Sequence, residues 1–305
     1  MMEVLTRISR GSDTAALRRI WTTAFGDGDD EDFFSFYFRP EMCVVVESGG
    51  TASAAGYLIP FGNFIYGDVK VRCAMIYAVA VLPDVRNRGY GTLIVRDLIA
   101  RGHAAGYPAV VLCPASDGLF GYYSTRSVLR DYFYVAERRI VETLSAALPA
   151  RLSRVSPDEY GSLRERFLSG VPHIEIDRDG LLYQDLLCSH AGGGLYLAET
   201  IDGDACAVVE PQHDGSVWVK ELLCPGGVDA SALSSIASVF PADSYIVRTP
   251  AQADAPLDVA PLDVAQPVVA PRFPARRFGM IAADPGVTAS AARTKTAPWF
   301  GLSFD

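Results

Sequence analysis

Apolar and polar positions follow two different periods along this chain, and the switches between them mark the elements. After Ser12 and Asp13, either of which can cap a helix, Leu17, Ile20, Trp21, Ala24 and Phe25 recur at the spacing of one helical face. An acid-rich loop, Gly26-Asp27-Gly28-Asp29-Asp30-Glu31-Asp32, leads into a second short helix carrying Phe33, Phe34, Phe36 and Tyr37. Three β-rich runs near 42–47, 52–60 and 69–82, divided by Gly49-Gly50 and Gly67-Asp68, predict an antiparallel meander. Beyond Leu82 come a glycine-rich loop, a helix over about 89–105, a short apolar strand at 109–113 and a helix from about Asp117. That succession predicts a crossover unit, and a strand near 132–142 closes the half.

The second half repeats the order of elements with little residue-level similarity. Ser156-Pro157-Asp158-Glu159 combines an N-cap serine, a proline at the first helical position and a glutamate three residues on, a strong helix start. A helix near 180–189, strands near 195–200, 205–210 and 216–223, a helix near 230–240 and a strand near 244–249 come next. The fold class expected is mixed α+β in two domains, 1–150 and 151–305. Between Pro250 and Pro274 the proline density blocks helix and central strand and predicts extended, solvated chain. The tail, Pro298 to Asp305, carries Trp299, Phe300 and Phe304 where frayed termini are small and polar, so it is expected to dock.

Composition narrows the function classes. With 50% hydrophobic and 21% charged residues the chain is neither disordered nor fibrous. No apolar run approaches the roughly 18 residues of a membrane helix, and the N-terminus lacks a leader pattern, so a cytoplasmic protein without membrane partners is expected. A formal charge of −9 argues against covering phosphate backbones, so no nucleic-acid partner is expected. The six cysteines include no CxxC pair and the four histidines show no ligand spacing, so free buried thiols and no metal are expected.

The chemistry concentrates in Val79-Ala80-Val81-Leu82-Pro83-Asp84-Val85-Arg86-Asn87-Arg88-Gly89-Tyr90-Gly91-Thr92. A strand runs into a loop with two arginines and two glycines, and the loop opens onto a helix. Gly89 and Gly91 admit a ligand close to the backbone, the helix N-terminus adds its dipole, and Arg86 and Arg88 add charge. The arrangement predicts a pyrophosphate cradle.

The spacing R-x-x-G-x-G at Arg86, Gly89 and Gly91, behind Val79, Val81 and Pro83, resembles the acyl-CoA motif of the GNAT N-acetyltransferase superfamily. Leu112 to Val128 resembles the strand and helix that end in the family's Y-x-x-x-G-F. Tyr123 falls on the tyrosine, although Ser127 and Val128 replace the glycine and the aromatic, and neighbouring Tyr122 is the alternative alignment. Ala24-Phe25-Gly26-Asp27, the Tyr77 to Val81 strand and the Pro114-Ala115-Ser116 turn narrow the likeness to two-domain bacterial proteins related to the enhanced-intracellular-survival acetyltransferases. Motif-level likeness covers about 13–140.

The resemblance implies a GNAT fold with a mostly antiparallel sheet, followed by a degenerate GNAT-like domain that completes the acceptor pocket. It implies acetyl-CoA as co-substrate, direct transfer to a small-molecule or peptide amine, and Val79, Ala80, Val81, Arg86, Asn87, Arg88, Gly89, Tyr90, Gly91 and Thr92 as its binding residues. Tyr123 would protonate the departing thiolate, a packed core tyrosine being the other reading. The C-terminal carboxylate of Asp305 is the candidate base. Asp27, Asp29 and Asp30 would attract the amine, or simply cap a helix. After its own candidate strand the second half has Cys224 to Asp229, with glycines, no cation and a carboxylate, so it should not bind CoA. A non-catalytic CoA-sensing or protein-interaction module of the same fold is the alternative function.

Overall fold

In the computed structural model the described residues are 5–26, 30–141, 151–226, 228–251, 275–283, 287 and 296–304. In chain order the elements are β1 (Leu5–Ile8), α1 (Thr14–Phe25), α2 (Asp30–Phe36), β2 (Cys43–Ser48), β3 (Thr51–Tyr66), β4 (Val69–Val81), α3 (Tyr90–Ala104), β5 (Ala109–Leu112), α4 (Asp117–Arg126) and β6 (Arg130–Ile140). After these come β7 (Arg151–Arg154), α5 (Pro157–Phe167), β8 (His173–Glu175), α6 (Arg178–His190), β9 (Gly194–Thr200), β10 (Gly203–Pro211), β11 (Val217–Leu223), α7 (Asp229–Val239), β12 (Tyr245–Pro250) and β13 (Ala275–Ala283). The proline- and alanine-rich segment is outside the described residues. Among the described residues no helix is long and apolar enough to cross a membrane.

Two compact units emerge. The first comprises Met1–Asn63, Lys70–Asp131 and Gly279–Ala289, the second Phe64–Val69, Tyr132–Phe278 and Ser290–Asp305. In the first, the strand order is β1-β2-β3-β4-β5-β13. β1, β2 and β3 are antiparallel neighbours, whereas β4 and β5 run parallel from Cys73↔Ala109 to Ile76↔Leu112. The parallel pair needs a crossover, and α3 supplies it: Ile94, Val95, Leu98 and Ile99 recur at helical spacing and bury against Val44, Val46, Ala54, Ile76, Val110 and Leu112.

The strand expected to close the first half goes elsewhere. β6 pairs with β12, from Tyr245↔Ile140 to Pro250↔Val135, while the edge of β5 is taken by β13, from Met280↔Leu112 to Ala283↔Ala109. Each unit's sheet is therefore completed by a strand from the other half of the sequence.

Local signals set the helix starts. In α5 both bonds of the capping box form: Ser156 Oγ accepts from the Glu159 amide at 3.3 Å and the Glu159 carboxylate accepts from the Ser156 amide at 2.9 Å. Asp13 precedes α1 without bonding the helix; its carboxylate instead accepts from the Arg7 guanidinium at 2.7 and 3.0 Å and from the Arg10 amide.

The second unit has the order β6-β12-β11-β10-β9-β7, covered by the apolar face of α7 at Ala232, Leu233, Ile236 and Ala237. The tail docks as expected. Trp299, Phe300 and Leu302 are fully buried, and the Trp299 amide donates to the Pro172 carbonyl at 2.8 Å. Under the tail the buried Glu221 carboxylate accepts from Trp299 Nε1 at 2.7 Å, from Tyr160 at 2.9 Å and from Arg164 Nε at 3.0 Å.

Candidate active site

The site of the first unit is built by the end of β4, the loop after it and the start of α3. The pairing of β4 with β5 extends to Ile76↔Leu112, and two residues on Ala78 takes φ +48°, a left-handed conformation unusual for a residue with a side chain. A kink of this kind inside a strand turns the next residues off the sheet's line. Val79, Ala80 and Val81 thus wall one side of a cleft of about 590 Å³.

A single 3-10 turn at Pro83–Val85 carries the chain to Asn87 (φ +63°) and Gly89 (φ +81°), the N-cap of α3. The first intrahelical bond there runs from the Leu93 amide to the Gly89 carbonyl at 3.1 Å. The amides of the first turn have no helical acceptor by geometry. No acidic residue occupies that turn, so the positive end of the dipole is not neutralised from within.

Gly91 has ordinary φ, and its role is space. A Cβ at this position would lie 3.1 Å from the Tyr122 hydroxyl and 3.9 Å from Val81. The Tyr122 and Thr92 hydroxyls share a hydrogen bond at 3.0 Å, and the Arg126 guanidinium lies 4.6 Å above the Tyr122 ring. Arg86 turns back, its Nε donating to the Val81 carbonyl at 3.2 Å.

The structure brings most of the expected residues together. Val79, Ala80, Val81, Arg86, Asn87, Gly89, Tyr90, Gly91 and Thr92 all line the cleft. Arg88 is exposed and outside the lining, its guanidinium donating to the Asp84 carbonyl at 3.4 Å. Tyr123 is buried in the core of the unit with Leu112 and Phe120, and burial pushes its phenol up to about 12. Its neighbour Tyr122 faces the cleft instead, as the 100° step between adjacent helical residues requires. Asp27, Asp29 and Asp305 lie outside the described residues, and Asp30 is the first residue of α2.

Ala24, Phe25 and Arg126 also line the cleft and were not anticipated as site residues. Arg126 had a signal: it stands four residues after Tyr122, on the same helical face. Among the described residues no Asp, Glu or His lines the cleft.

Among the described residues of the second unit, the corresponding helix start is not free. Behind β11 the N-terminus of α7 already holds the Asp229 carboxylate, ion-paired with Arg138 at 3.0 Å, and Glu221 on β11 is committed to the tail.

Residues 6–125 match the model of the acetyltransferase (GNAT) domain family. Over that stretch the chain carries a domain of the GNAT acetyltransferase type. Its fold is shared by solved structures of low identity. A GCN5-related N-acetyltransferase from Kribbella flavida superimposes with a TM-score of 0.60 at 18% identity, over 92% of this chain and 70% of that one. A probable N-acyltransferase from Enterococcus faecalis V583 gives 0.64 at 14%, over 96% and 75%. Eis1 from Mycobacterium abscessus gives 0.58 at 13%, over 92% and 74%. No curated protein sequence matches significantly. The GNAT match covers β1 through most of α4, which includes every residue named as lining the cleft except Arg126.

Proposed function

We propose that this protein is an acetyl-CoA-dependent N-acetyltransferase that acylates a primary amine of a small molecule or peptide by direct transfer. The observation that carries the reading is the acid-free N-terminus of α3, opening with Gly89, Gly91 and Arg86 onto a cleft walled by the kinked end of β4. The donor fits on one structural ground: the space at Gly91 is what a pyrophosphate needs to reach the helix amides, and a side chain would fill it. Acetyl-CoA would supply the acyl group and a thiolate leaving group.

In this reading the Gly89 to Thr92 amides and Arg86 bind the pyrophosphate, and the backbone of Val79, Ala80 and Val81 orients the pantetheine arm and the acyl carbonyl. Tyr123, at the motif position, is the phenol proposed to hold the proton for the thiolate, and Tyr122, which faces the cleft, is the alternative; a tyrosine phenol is protonated at neutral pH. The C-terminal carboxylate of Asp305 is the proposed base for the amine, with Asp27, Asp29 and Asp30 drawing the amine to the cleft.

The experiment is thiol release from acetyl-CoA across a panel of amines, from polyamines to lysine peptides. Release that depends on one class of amine supports the reading. Binding of acetyl-CoA without release on any amine would instead mark the non-catalytic, CoA-sensing alternative.

A further inference from the structure

The cleft carries cations on two walls. Arg86 comes from the loop before α3, and Arg126 comes from the last position of α4. Arg126 is held in place from two sides. Its guanidinium stacks on the Tyr122 ring at 4.6 Å, and its carbonyl accepts from Arg96 Nε at 2.6 Å. Arg96 lies one helical turn beyond Thr92, so the end of α4 is tied to α3 next to the cradle.

The positive charge at this edge of the cleft is not compensated by side-chain carboxylates among the described residues. The chain carries 36 acidic against 27 basic residues, and Arg7, Arg101, Arg138, Arg154 and Arg164 each pair with a carboxylate. Among the described residues, Arg86, Arg96 and Arg126 form no ion pair. An exposed arginine that is oriented by a ring yet lacks a carboxylate partner is set up for an external anion, which its planar fork grips in bidentate fashion.

CoA carries anionic charge in two separate places. The pyrophosphate is accounted for by the α3 amides and Arg86. The 3′-phosphate, a monoester with a second pKa of about 6 and hence close to a dianion at neutral pH, has no counterpart in that cradle. We infer that Arg126 recognises the 3′-phosphate of CoA and makes the cleft selective for the 3′-phosphorylated donor. This inference rests on the acyl-CoA reading. Arg88 and Arg96 do not line the cleft, which leaves Arg126 as the cation on the second wall.

The test is calorimetric titration of the full chain with CoA and with dephospho-CoA, which lacks only the 3′-phosphate, in the wild type, Arg126→Gln and Arg86→Gln. The wild type should prefer CoA by about tenfold, equivalent to about 1.4 kcal/mol. Arg126→Gln should lower CoA affinity to the dephospho-CoA level and leave dephospho-CoA unchanged. Arg86→Gln should weaken both ligands and keep the preference. A preference that survives in Arg126→Gln, or is absent from the wild type, overturns the inference alone. Failure of the wild type to bind either ligand overturns it together with the acyl-CoA reading.

Discussion

Gly91→Ala isolates what the cleft does from what holds the helix. The substitution adds one methyl at the second residue of α3, where φ is ordinary, so the backbone accepts it. Alanine is favoured over glycine in a helix by up to about 1 kcal/mol. Against this, the new Cβ stands 3.1 Å from the Tyr122 hydroxyl, closer than carbon and oxygen normally approach. Relieving that contact moves the phenol by a few tenths of an ångström and stretches its bond to Thr92, now 3.0 Å; a neutral hydrogen bond contributes about 0.5–1.5 kcal/mol net. The two effects nearly cancel, so the melting temperature should shift by only a few degrees. Ligand binding should respond differently, because the methyl occupies the path by which a pyrophosphate reaches the amides. CoA affinity should fall tenfold or more, and Gly91→Val should abolish it. Gly89→Ala is the contrasting variant: no atom lies within 4 Å of its Cβ, but φ is +81°, and an L-residue there costs about 1–2 kcal/mol. It should lose stability first. Calorimetry and thermal unfolding on the same samples separate the cases, and unchanged CoA affinity in folded Gly91→Ala would refute the cradle.

Three further outcomes are expected. Arg86→Ala removes a charged hydrogen bond to phosphate, contributing roughly 1.5–3 kcal/mol, and should weaken CoA binding about tenfold or more by calorimetry. Tyr123→Phe should cut turnover about 100-fold to 10,000-fold with acetyl-CoA affinity retained, whereas Tyr122→Phe should chiefly weaken binding; the reverse pattern in thiol-release kinetics moves the acid to Tyr122. Asp13 is held below the usual carboxylate range chiefly by its hydrogen bond from Arg7. The folded state therefore favours the ionised form, and this stability is present above about pH 4 and lost as pH falls through the lowered pKa. Asp13→Asn should flatten the acid limb of the stability curve in pH-dependent denaturant unfolding.

Much of the cleft was legible because its signals are local. The β4 strand, the arginine and glycine loop and α3 occupy one continuous stretch, and loop chemistry, helix start and apolar periodicity all agree there. The capping box at Ser156 was legible for the same reason. Tyr122 and Tyr123 were not separable, since a one-residue step around α4 decides which faces the cleft and the departures at Ser127 and Val128 remove the anchor that would fix the alignment. Asp13 looked like a cap because the competing partner, Arg7, sits on a strand too short to show a period. The exchange of β6 and β13 left no trace in the sequence. Met280 to Ala283 meet β5 some 170 residues away in the chain, beyond the reach of local pattern, and the proline-rich stretch before them hides the approach. The buried Glu221 was unreadable likewise, its partners Tyr160, Arg164 and Trp299 being 57 to 78 residues distant.

Acyl-CoA should bind at the α3 N-terminus and not on the second unit. Amide hydrogen exchange of the full chain with and without CoA reads both parts at once. Exchange should slow at the amides of 79–92 and around Tyr122 to Arg126, with no change over 217–229, where Asp229 already occupies the helix start. Protection confined to 217–229, or no protection in the first unit at saturating CoA, would contradict it.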